Sequence, residues 1–221
     1  MKPLLLINFK TYPEATGKHA VDLAKKIASV KTKKYVLAVA PPQLELEHVR
    51  KQVKINVFAQ HVDAEVPGAH TGQITAVEVR KLGVDGTILN HAEHKLSLLI
   101  LKKTIRECQR AKLLTVVCAA NLKELRSLAK LHPEYIAYEP PQLIGGNISV
   151  TSAKPEVIQN AVRLVRKLSP STKVLCGAGV HSSEDLRQAL RLGTEGVLLS
   201  HAIVKVKNPQ KVLQEFISQP R

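Results

Sequence analysis

Two histidines, a carboxylate and a lysine fall within six residues in the stretch NHAEHK, which runs from Asn90 to Lys95. A neutral imidazole near a helix start can donate a hydrogen bond to an oxyanion, because the helix dipole disfavours imidazolium. The pattern predicts a helix that begins around Lys95, so His91 is the candidate for this role. The same helix start is expected to turn His94 outward, where a solvated loop histidine is the simpler interpretation.

Polar residues also follow the first apolar run of the chain, where Asn8 and Lys10 flank Phe9. Alternation with a period of two places both polar side chains on one side. A lysine there would place a cation at this end of the strand. For Lys10 taken alone, a strand-end lysine whose stem reaches toward water is the simpler interpretation.

A third candidate is Glu139, the first residue after another short apolar run. Pro140 and Pro141 make the following chain stiff. The apolar Leu143–Ile144 and the flexible Gly145–Gly146 come next, and this order is typical of a lid. A lid that closes over a carboxylate expels water and raises its basicity. The alternative is an ordinary surface loop with a helix-capping acid.

Small residues follow the last two apolar runs. The sequence CGAGV contains Gly177 and Gly179, and the sequence LLSHAIVK contains Ser200 and His201. Small residues allow backbone amides to approach an anion, so these loops are candidates for a phosphate site. No Cys/His/Asp cluster suggests a metal. A base, a neutral electrophile and a cation suit proton abstraction next to a carbonyl of a small phosphorylated substrate.

The elements that must position these groups follow from eight short apolar, β-rich runs with amphipathic stretches between them. Continuous apolar runs are typical of strands that are buried on both faces. The runs are LLLINF, YVLAVA, INVFAQ, GTILN, LLTVVC, YIAY, KVLCG and GVLL, which begin at Leu4, Tyr35, Ile55, Gly86, Leu113, Tyr135, Lys173 and Gly196. This pattern predicts an α/β fold, a single (β/α)8 barrel of eight parallel strands over residues 1–221. A doubly wound open sheet is the competing architecture, but the GxGxxG that normally follows its first strand is missing.

Helices are predicted between these strands from apolar spacing and start signals. The stretch from Gly17 places Ala20, Leu23, Ala24, Ile27 and Ala28 on one face. Pro155 marks the first turn of another helix, and Ser182 with Asp185 three residues later marks a capped start.

Composition narrows the functional class. The chain has 221 residues and a formal net charge of +15, with basic residues spread in pairs along predicted helices. Solvated helix faces explain this spread better than a nucleic-acid surface does. Cys108, Cys118 and Cys176 lie far apart without CxxC spacing, which fits a reducing cytoplasm. No apolar run approaches the roughly 20 residues that span a bilayer, and the N-terminus is expected to be a first strand rather than a signal peptide.

Five separated motifs resemble the triosephosphate isomerase family, and the short chain with its EPPxLIG lid resembles the archaeal branch. They are NFK from Asn8, AQHVDAEVPGAHTG from Ala59, NHAEH from Asn90, YEPPQLIGG from Tyr138 and CGAGV from Cys176. They cover nearly the whole chain in order. The resemblance implies the TIM-barrel fold and the cofactor-free interconversion of dihydroxyacetone phosphate and glyceraldehyde 3-phosphate, a reaction often used to illustrate barrel catalysis.

Residue roles follow from the same resemblance. It implies Glu139 as the base, His91 as a neutral electrophile and Lys10 as the stabiliser of negative charge, with Glu93 orienting Lys10. Further residues implied to bind substrate are Asn8, Ile144 and the backbone amides of Gly145, Gly179, Ser200 and His201. A homo-oligomer, either a dimer or a tetramer, is implied through the region of Gln60 and Thr71.

The sequence departs from the family pattern at four positions. Ala92 replaces a usual serine, Lys95 a usual arginine and Asn147 a glycine of the second lid hinge, while His201 stands where a small residue is expected. We expect these departures to tune rate and affinity, because the principal polar groups remain. The rival hypotheses are another phosphate-binding barrel and a non-catalytic basic barrel, either a pseudoenzyme or a nucleic-acid binder.

Overall fold

The computed structural model describes residues 2–140 and 155–218. Within them, eight parallel strands close into a barrel in which each strand pairs with the next and the last pairs with the first. The strands are β1 (Leu4–Asn8), β2 (Val36–Ala40), β3 (Asn56–Ala59), β4 (Gly86–Leu89), β5 (Leu114–Ala119), β6 (Tyr135–Tyr138), β7 (Lys173–Cys176) and β8 (Gly196–Leu199). The predicted (β/α)8 barrel is therefore confirmed, and the open doubly wound sheet is excluded.

Helices follow the strands, as the amphipathic stretches between the apolar runs predicted. They are α1 (Lys18–Ser29), α2 (Leu46–Gln52), α3 (Ala76–Lys81), α4 (Leu98–Ala111), α5 (Leu122–Ala129), α6 (Pro155–Leu168), α7 (Ser183–Arg191), α8 (His201–Val204) and α9 (Pro209–Ile217). Short 3-10 helices span Pro13–Ala15 and Gln43–Glu45. In the described part of the chain, no helix is both long and apolar enough to cross a membrane.

The predicted face of α1 and the predicted cap of α7 are both observed. Four of the five face residues are buried, and Ala28 is partly buried against the same core. The Ser182 hydroxyl accepts a hydrogen bond from the backbone amide of Asp185 at 3.2 Å. This bond satisfies one of the amide groups that every helix start leaves without a partner.

The strands are buried on both faces because the core has two layers. Leu4 and Leu6 belong to a cluster made of strand residues alone, which fills the barrel interior. Leu5 and Ile7 belong to a larger cluster that includes helix residues and lies outside the barrel. Burying a leucine or isoleucine side chain stabilises a fold by about 1.5–3 kcal/mol, so continuous apolar strands are favoured over alternating ones.

The interior contains one large aromatic ring, and a glycine makes room for it. Phe58 on β3 is 1% exposed. A Cβ atom at Gly86 on β4 would lie 2.3 Å from Cε1 of that ring. The rest of the interior is aliphatic apart from the Cys118 thiol and partly buried Tyr135. The chain contains no tryptophan, so aliphatic side chains provide most of this packing.

Candidate active site

The β1 end places Asn8 and Lys10 at the barrel mouth. Both line one pocket, while Phe9 between them is fully buried. Lys10 has a left-handed backbone with φ of 50°, which costs about 1–2 kcal/mol for a residue with a side chain. Its amide donates to Asn8 Oδ1 at 2.9 Å, and its carbonyl accepts from Gln60 Nε2 at 2.9 Å. These two bonds hold the strained turn that sends the lysine into the pocket.

The Lys10 ammonium is oriented by Glu93. The Nζ atom donates to Glu93 Oε1 at 2.6 Å. The Glu93 side chain is 60% exposed, so the ion pair itself contributes only about 0–1 kcal/mol to stability. Its structural effect is directional, because it fixes where a long and flexible side chain places its charge.

The loop after β4 is organised by Asn90, whose structural role was not predicted. Asn90 is 2% exposed and has a left-handed φ of 58°, a conformation that asparagine tolerates better than most residues. Its Nδ2 donates to the Cys118 carbonyl at 2.8 Å and to Glu124 Oε1 at 2.7 Å. Its Oδ1 accepts from the Leu96 amide at 2.9 Å. One buried side chain therefore ties the β4 loop to β5 and α5.

The position of His91 relative to α4 differs from the prediction. The helix begins at Leu98, capped by the Ser97 hydroxyl, and not around Lys95. The helix does not begin at Lys95 because the Leu96 amide donates to the Asn90 side chain, which holds this segment in the loop. His91 therefore lies on a turn rather than at a helix N-terminus, and a helix dipole does not explain its protonation. His94 is exposed as predicted.

The pKa of His91 is lowered, chiefly by burial of the ring. The neighbouring Lys10 and Lys95 lower it further, while Glu93 opposes the shift. The Glu93 amide donates to His91 Nδ1 at 3.2 Å, which assigns the proton of the neutral ring to Nε2. The Nε2 atom lies 3.6 Å from Glu139 Oε1, so a neutral N–H donor and a carboxylate face each other.

Glu139 follows β6 and is 4% exposed. Burial raises the pKa of its carboxyl to about 7. A hydrogen bond from the Cys118 thiol and the charges of Lys95 and Lys10 offset part of that rise. A carboxyl that titrates near neutral pH is suited to general base catalysis, because it is ionised yet still strongly basic.

Gly177 gives Glu139 its space, which the sequence had not indicated. A Cβ atom at this position would lie 2.4 Å from Glu139 Cγ and 3.1 Å from the Tyr138 carbonyl oxygen. The Gly177 amide donates to that carbonyl at 2.9 Å. The first glycine after β7 thus leaves room for the carboxylate of the neighbouring strand.

The loops after β7 and β8 close the other side of the pocket. Gly179, Ser200 and His201 all line it, as does His181, which the sequence had not singled out. Gly179 has a left-handed φ of 71°, where glycine carries no steric cost. The pocket has a volume of about 120 Å³. Asn8, Lys10, His91, Glu93 and Glu139 line the same pocket.

Some predicted site residues fall outside the described part of the chain, and two of the departures from the family pattern lie within it. Ile144, Gly145 and the hinge residue Asn147 lie outside the described residues. Of the other departures, Ala92 lines the pocket, and Lys95 pairs with Glu124 at 3.0 Å. Within residues 2–140 and 155–218, no group of three or more His, Cys, Asp or Glu side chains could hold a metal ion.

The predicted oligomer region combines a half-buried residue, Gln60, and an exposed one, Thr71. Gln60 Nε2 donates to the carbonyls of Lys10 and Ala40, at 2.9 and 3.0 Å. Thr71 is exposed on a loop whose base is closed by hydrogen bonds between Asp63 and Ile74. Gln60 thereby connects the root of this exposed loop to the backbone of the pocket lysine.

Comparison with known proteins shows the family to which the chain belongs. A family model described as triosephosphate isomerase matches residues 3–217. Proteins named triosephosphate isomerase are similar over nearly their whole length. The one from Methanothermus fervidus is 39% identical over 99% of both chains. The one from Methanocaldococcus jannaschii is 41% identical over 97% of this chain and 98% of its own. The one from Methanosarcina mazei is 40% identical over 97% of each.

These matches run from the first strand to the last helix, across every loop that contributes to the pocket. The chain belongs to the triosephosphate isomerase family.

Proposed function

We propose that this protein interconverts dihydroxyacetone phosphate and D-glyceraldehyde 3-phosphate by proton transfer. The observation that supports this most directly is the facing pair of Glu139 and His91. The buried carboxyl has a pKa of about 7, and a neutral N–H donor lies 3.6 Å away. A proton on carbon next to a carbonyl is removed by such a base while the donor stabilises the oxygen that becomes negative.

The reaction proceeds by two proton transfers at carbon and one between the two oxygens. Glu139 removes a proton from the hydroxyl-bearing carbon, and the C–H electrons form the carbon–carbon double bond of an enediolate. The carbonyl π electrons move to oxygen, which accepts a hydrogen bond from His91 Nε2. The proton of the neighbouring hydroxyl moves to the former carbonyl oxygen, with His91 Nε2 facing both oxygens. The protonated Glu139 then returns its proton to the former carbonyl carbon, and the new carbonyl forms at the carbon that was first deprotonated.

The Lys10 ammonium stabilises the negative charge of the enediolate, and Glu93 keeps it aimed at the pocket. The 2.6 Å bond between them supports this assignment. Asn8, which fixes the Lys10 backbone, also helps to hold the substrate oxygens. Because the bond to Glu93 exists before substrate arrives, little reorganisation is needed when charge develops.

The phosphate of the substrate binds on the opposite side of the pocket. The backbone amides of Gly179, Ser200 and His201 are its ligands, together with Gly145, and Ile144 closes the lid. The shared pocket lining supports the first three of these residues. A closed lid excludes water from an enediolate that would otherwise eliminate phosphate.

The net charge of +15 serves to steer a dianionic substrate toward the barrel mouth. A non-catalytic nucleic-acid-binding barrel is not favoured. Such a function does not require a buried carboxyl with a raised pKa, which Glu139 has.

The wider biological setting belongs to the same proposal. The protein acts without a cofactor in glycolysis and gluconeogenesis, as a cytoplasmic homo-oligomer of one domain over residues 1–221. Three free buried thiols support a reducing compartment. The exposed loop around Thr71 supports the oligomer contact, and relatives from archaea support assignment to the archaeal branch.

The test is isomerisation of glyceraldehyde 3-phosphate, coupled to a reductase specific for dihydroxyacetone phosphate. Glu139→Asp withdraws the carboxylate by one methylene, so we expect turnover to fall roughly a hundredfold or more. Glu47→Asp is the matched control, since Glu47 forms only a surface pair with Lys51. Absence of turnover by the folded wild-type protein would refute the proposal.

A further inference from the structure

The pocket side formed by the β7 and β8 loops contains buried polar atoms that have no hydrogen-bond partner among the described residues. In the described part of the chain, three buried side-chain polar atoms have none: Gln43 Oε1, His181 Nε2 and Ser200 Oγ. Both His181 and Ser200 line the pocket. An unpartnered buried polar atom costs about 1–3 kcal/mol, so its presence beside a cavity points to a ligand that supplies the missing bond.

The backbone of His181 is fixed before any ligand arrives. Its amide donates to Asp185 Oδ2 at 3.0 Å, and the same oxygen accepts from the Ser182 hydroxyl at 2.9 Å. These bonds anchor His181 at the start of α7 and hold it at the pocket wall. Such fixation suits a binding residue, because little entropy is lost on binding.

A second imidazole stands beside the first. The ring centroids of His181 and His201 are 5.4 Å apart, at an interplanar angle of 46°. Two imidazolium ions at this separation would repel each other. An anion placed between or beside the rings favours the protonated form of both.

The charged groups around the pair are mixed in sign. Lys10 from the β1 loop and Lys205 from the end of α8 lower the pKa of His201, after burial as the largest cause and His181 as the second. Asp185 faces the pair from α7 through the backbone of His181. Across the pocket lie Glu139, Glu93 and His91. A bound phosphate adds up to two negative charges beside the rings, which opposes the two lysines.

We propose that the side chain of His181 binds the phosphoryl group of the substrate through Nε2, and that the His181–His201 pair takes up a proton as it does so. This inference rests on the proposed function for the identity of the ligand. The affinity for phosphate monoesters then increases as the pH falls from about 8.5 to 6.5. An imidazole beside a bound dianion gains a proton more readily than one without it, and a phosphate monoester remains largely dianionic above about pH 6.

The test measures binding rather than turnover, with sn-glycerol 3-phosphate as a non-reacting phosphate monoester. We expect the Kd of the wild-type protein to rise about tenfold between pH 6.5 and 8.5, because a charge-assisted hydrogen bond is lost. In His181→Asn the Kd is expected to change less than about threefold over this range. Titration calorimetry at pH 7.5 in buffers of different ionisation enthalpy is expected to show proton uptake by the wild type and much less by the variant.

Controls separate this effect from other titrations. His48→Gln changes an exposed histidine on α2 and is expected to follow the wild type. Glu139 and the ligand titrate equally in both proteins, so they cancel in the ratio of the two Kd values. His181→Gln is a second variant in case the asparagine destabilises α7. With saturating substrate, both His181 variants are expected to raise KM and to keep kcat within about threefold.

A wild-type Kd that is flat over the pH range would overturn the inference, as would an equal pH dependence in the His181 variants. Neither outcome affects the isomerase assignment, which depends on turnover by the wild-type protein. Conversely, pH-dependent binding by a protein that does not isomerise would refute the proposed function and leave the phosphate contact in place.

Discussion

The two sides of the pocket differ in whether their polar groups are already hydrogen-bonded to other groups of the protein. On the side formed by the β1, β4 and β6 ends, the described polar groups hold one another, as in the bonds from Lys10 to Glu93 and from the Glu93 amide to His91. On the side formed by the β7 and β8 loops, Nε2 of His181 and Oγ of Ser200 have no hydrogen-bond partner among the described residues. The first side is organised before substrate arrives, whereas the second has donors available for a ligand. Substitutions on the first side should therefore lower kcat, and those on the second should raise KM.

The largest loss of activity is expected from a substitution of Lys10, on the first side of the pocket. Replacing it with glutamine removes the charge that stabilises the enediolate, so kcat/KM is expected to fall about 10²–10³-fold. The matched control is Lys51→Gln, which removes an exposed lysine paired with Glu47 on α2 and should change the rate less than twofold. Steady-state kinetics in both directions measures the effect. A loss confined to KM would contradict the division between the two sides.

The buried carboxylate of Glu139 is expected to lower the free energy of unfolding at high pH. Burial raises the folded-state pKa of Glu139 from 4.5 to about 7, so the folded chain holds this proton more tightly than the unfolded chain. The stabilisation from that proton is present below about pH 4.5 and is lost as pH rises through about 7. Its size is about 3 kcal/mol.

Glu139→Gln removes this titration, so the inactive variant should be more stable than the wild type by about 3 kcal/mol at pH 8. At pH 5 the difference should shrink to about 1 kcal/mol. Urea unfolding at equal protein concentration and at both pH values gives the comparison. Equal stabilities at pH 8 would show that the carboxyl is not desolvated.

A smaller loss is expected from Gly177→Ala. The added methyl carbon would lie 2.4 Å from Glu139 Cγ, so the base must move, and we expect kcat to fall about 10–100-fold. Gly68→Ala is the control, since its nearest neighbours would be His70 ring atoms at 3.6 Å. If Gly177→Ala retained full kcat, Glu139 would tolerate displacement and would not need its observed position.

The smallest effect is expected at Ser200. Replacement by alanine removes the hydroxyl and keeps the backbone amide, so KM should rise about fivefold while kcat is retained. Because a hydroxyl does not titrate in this range, the increase should be the same at pH 6.5 and 8.5. A pH-dependent increase would place the hydroxyl under the control of the neighbouring histidines.

Much of the fold could be predicted because the strands are apolar on both faces. Each observed strand lies within one residue of a predicted run at either end. The candidate site could also be found, because parallel strands end at one rim and the polar residues follow the strands. Lys10, His91 and Glu139 were selected in this way and line one pocket.

The unpredicted features depend on distances between strands. Asn90 binds groups on β5 and α5, and Gly177 leaves room for a side chain after β6. Neither relation has a signal in the local sequence. The start of α4 was placed too early because the apolar pattern does not reveal that Asn90 holds the Leu96 amide in the loop. His181 was missed because the short motif that drew attention to β7 ends at Val180.

The pairing of β1 with β8, in which Leu4 lies opposite Gly196, has a consequence for folding during synthesis. During synthesis β1 emerges before the other seven strands, and one of its edges has no partner until β8 has emerged. Closure therefore awaits one of the most sequence-distant pairings in the chain, a type of contact that slows folding. Until then an apolar strand edge can pair with other nascent chains. Slow or interrupted synthesis should therefore favour association with other chains.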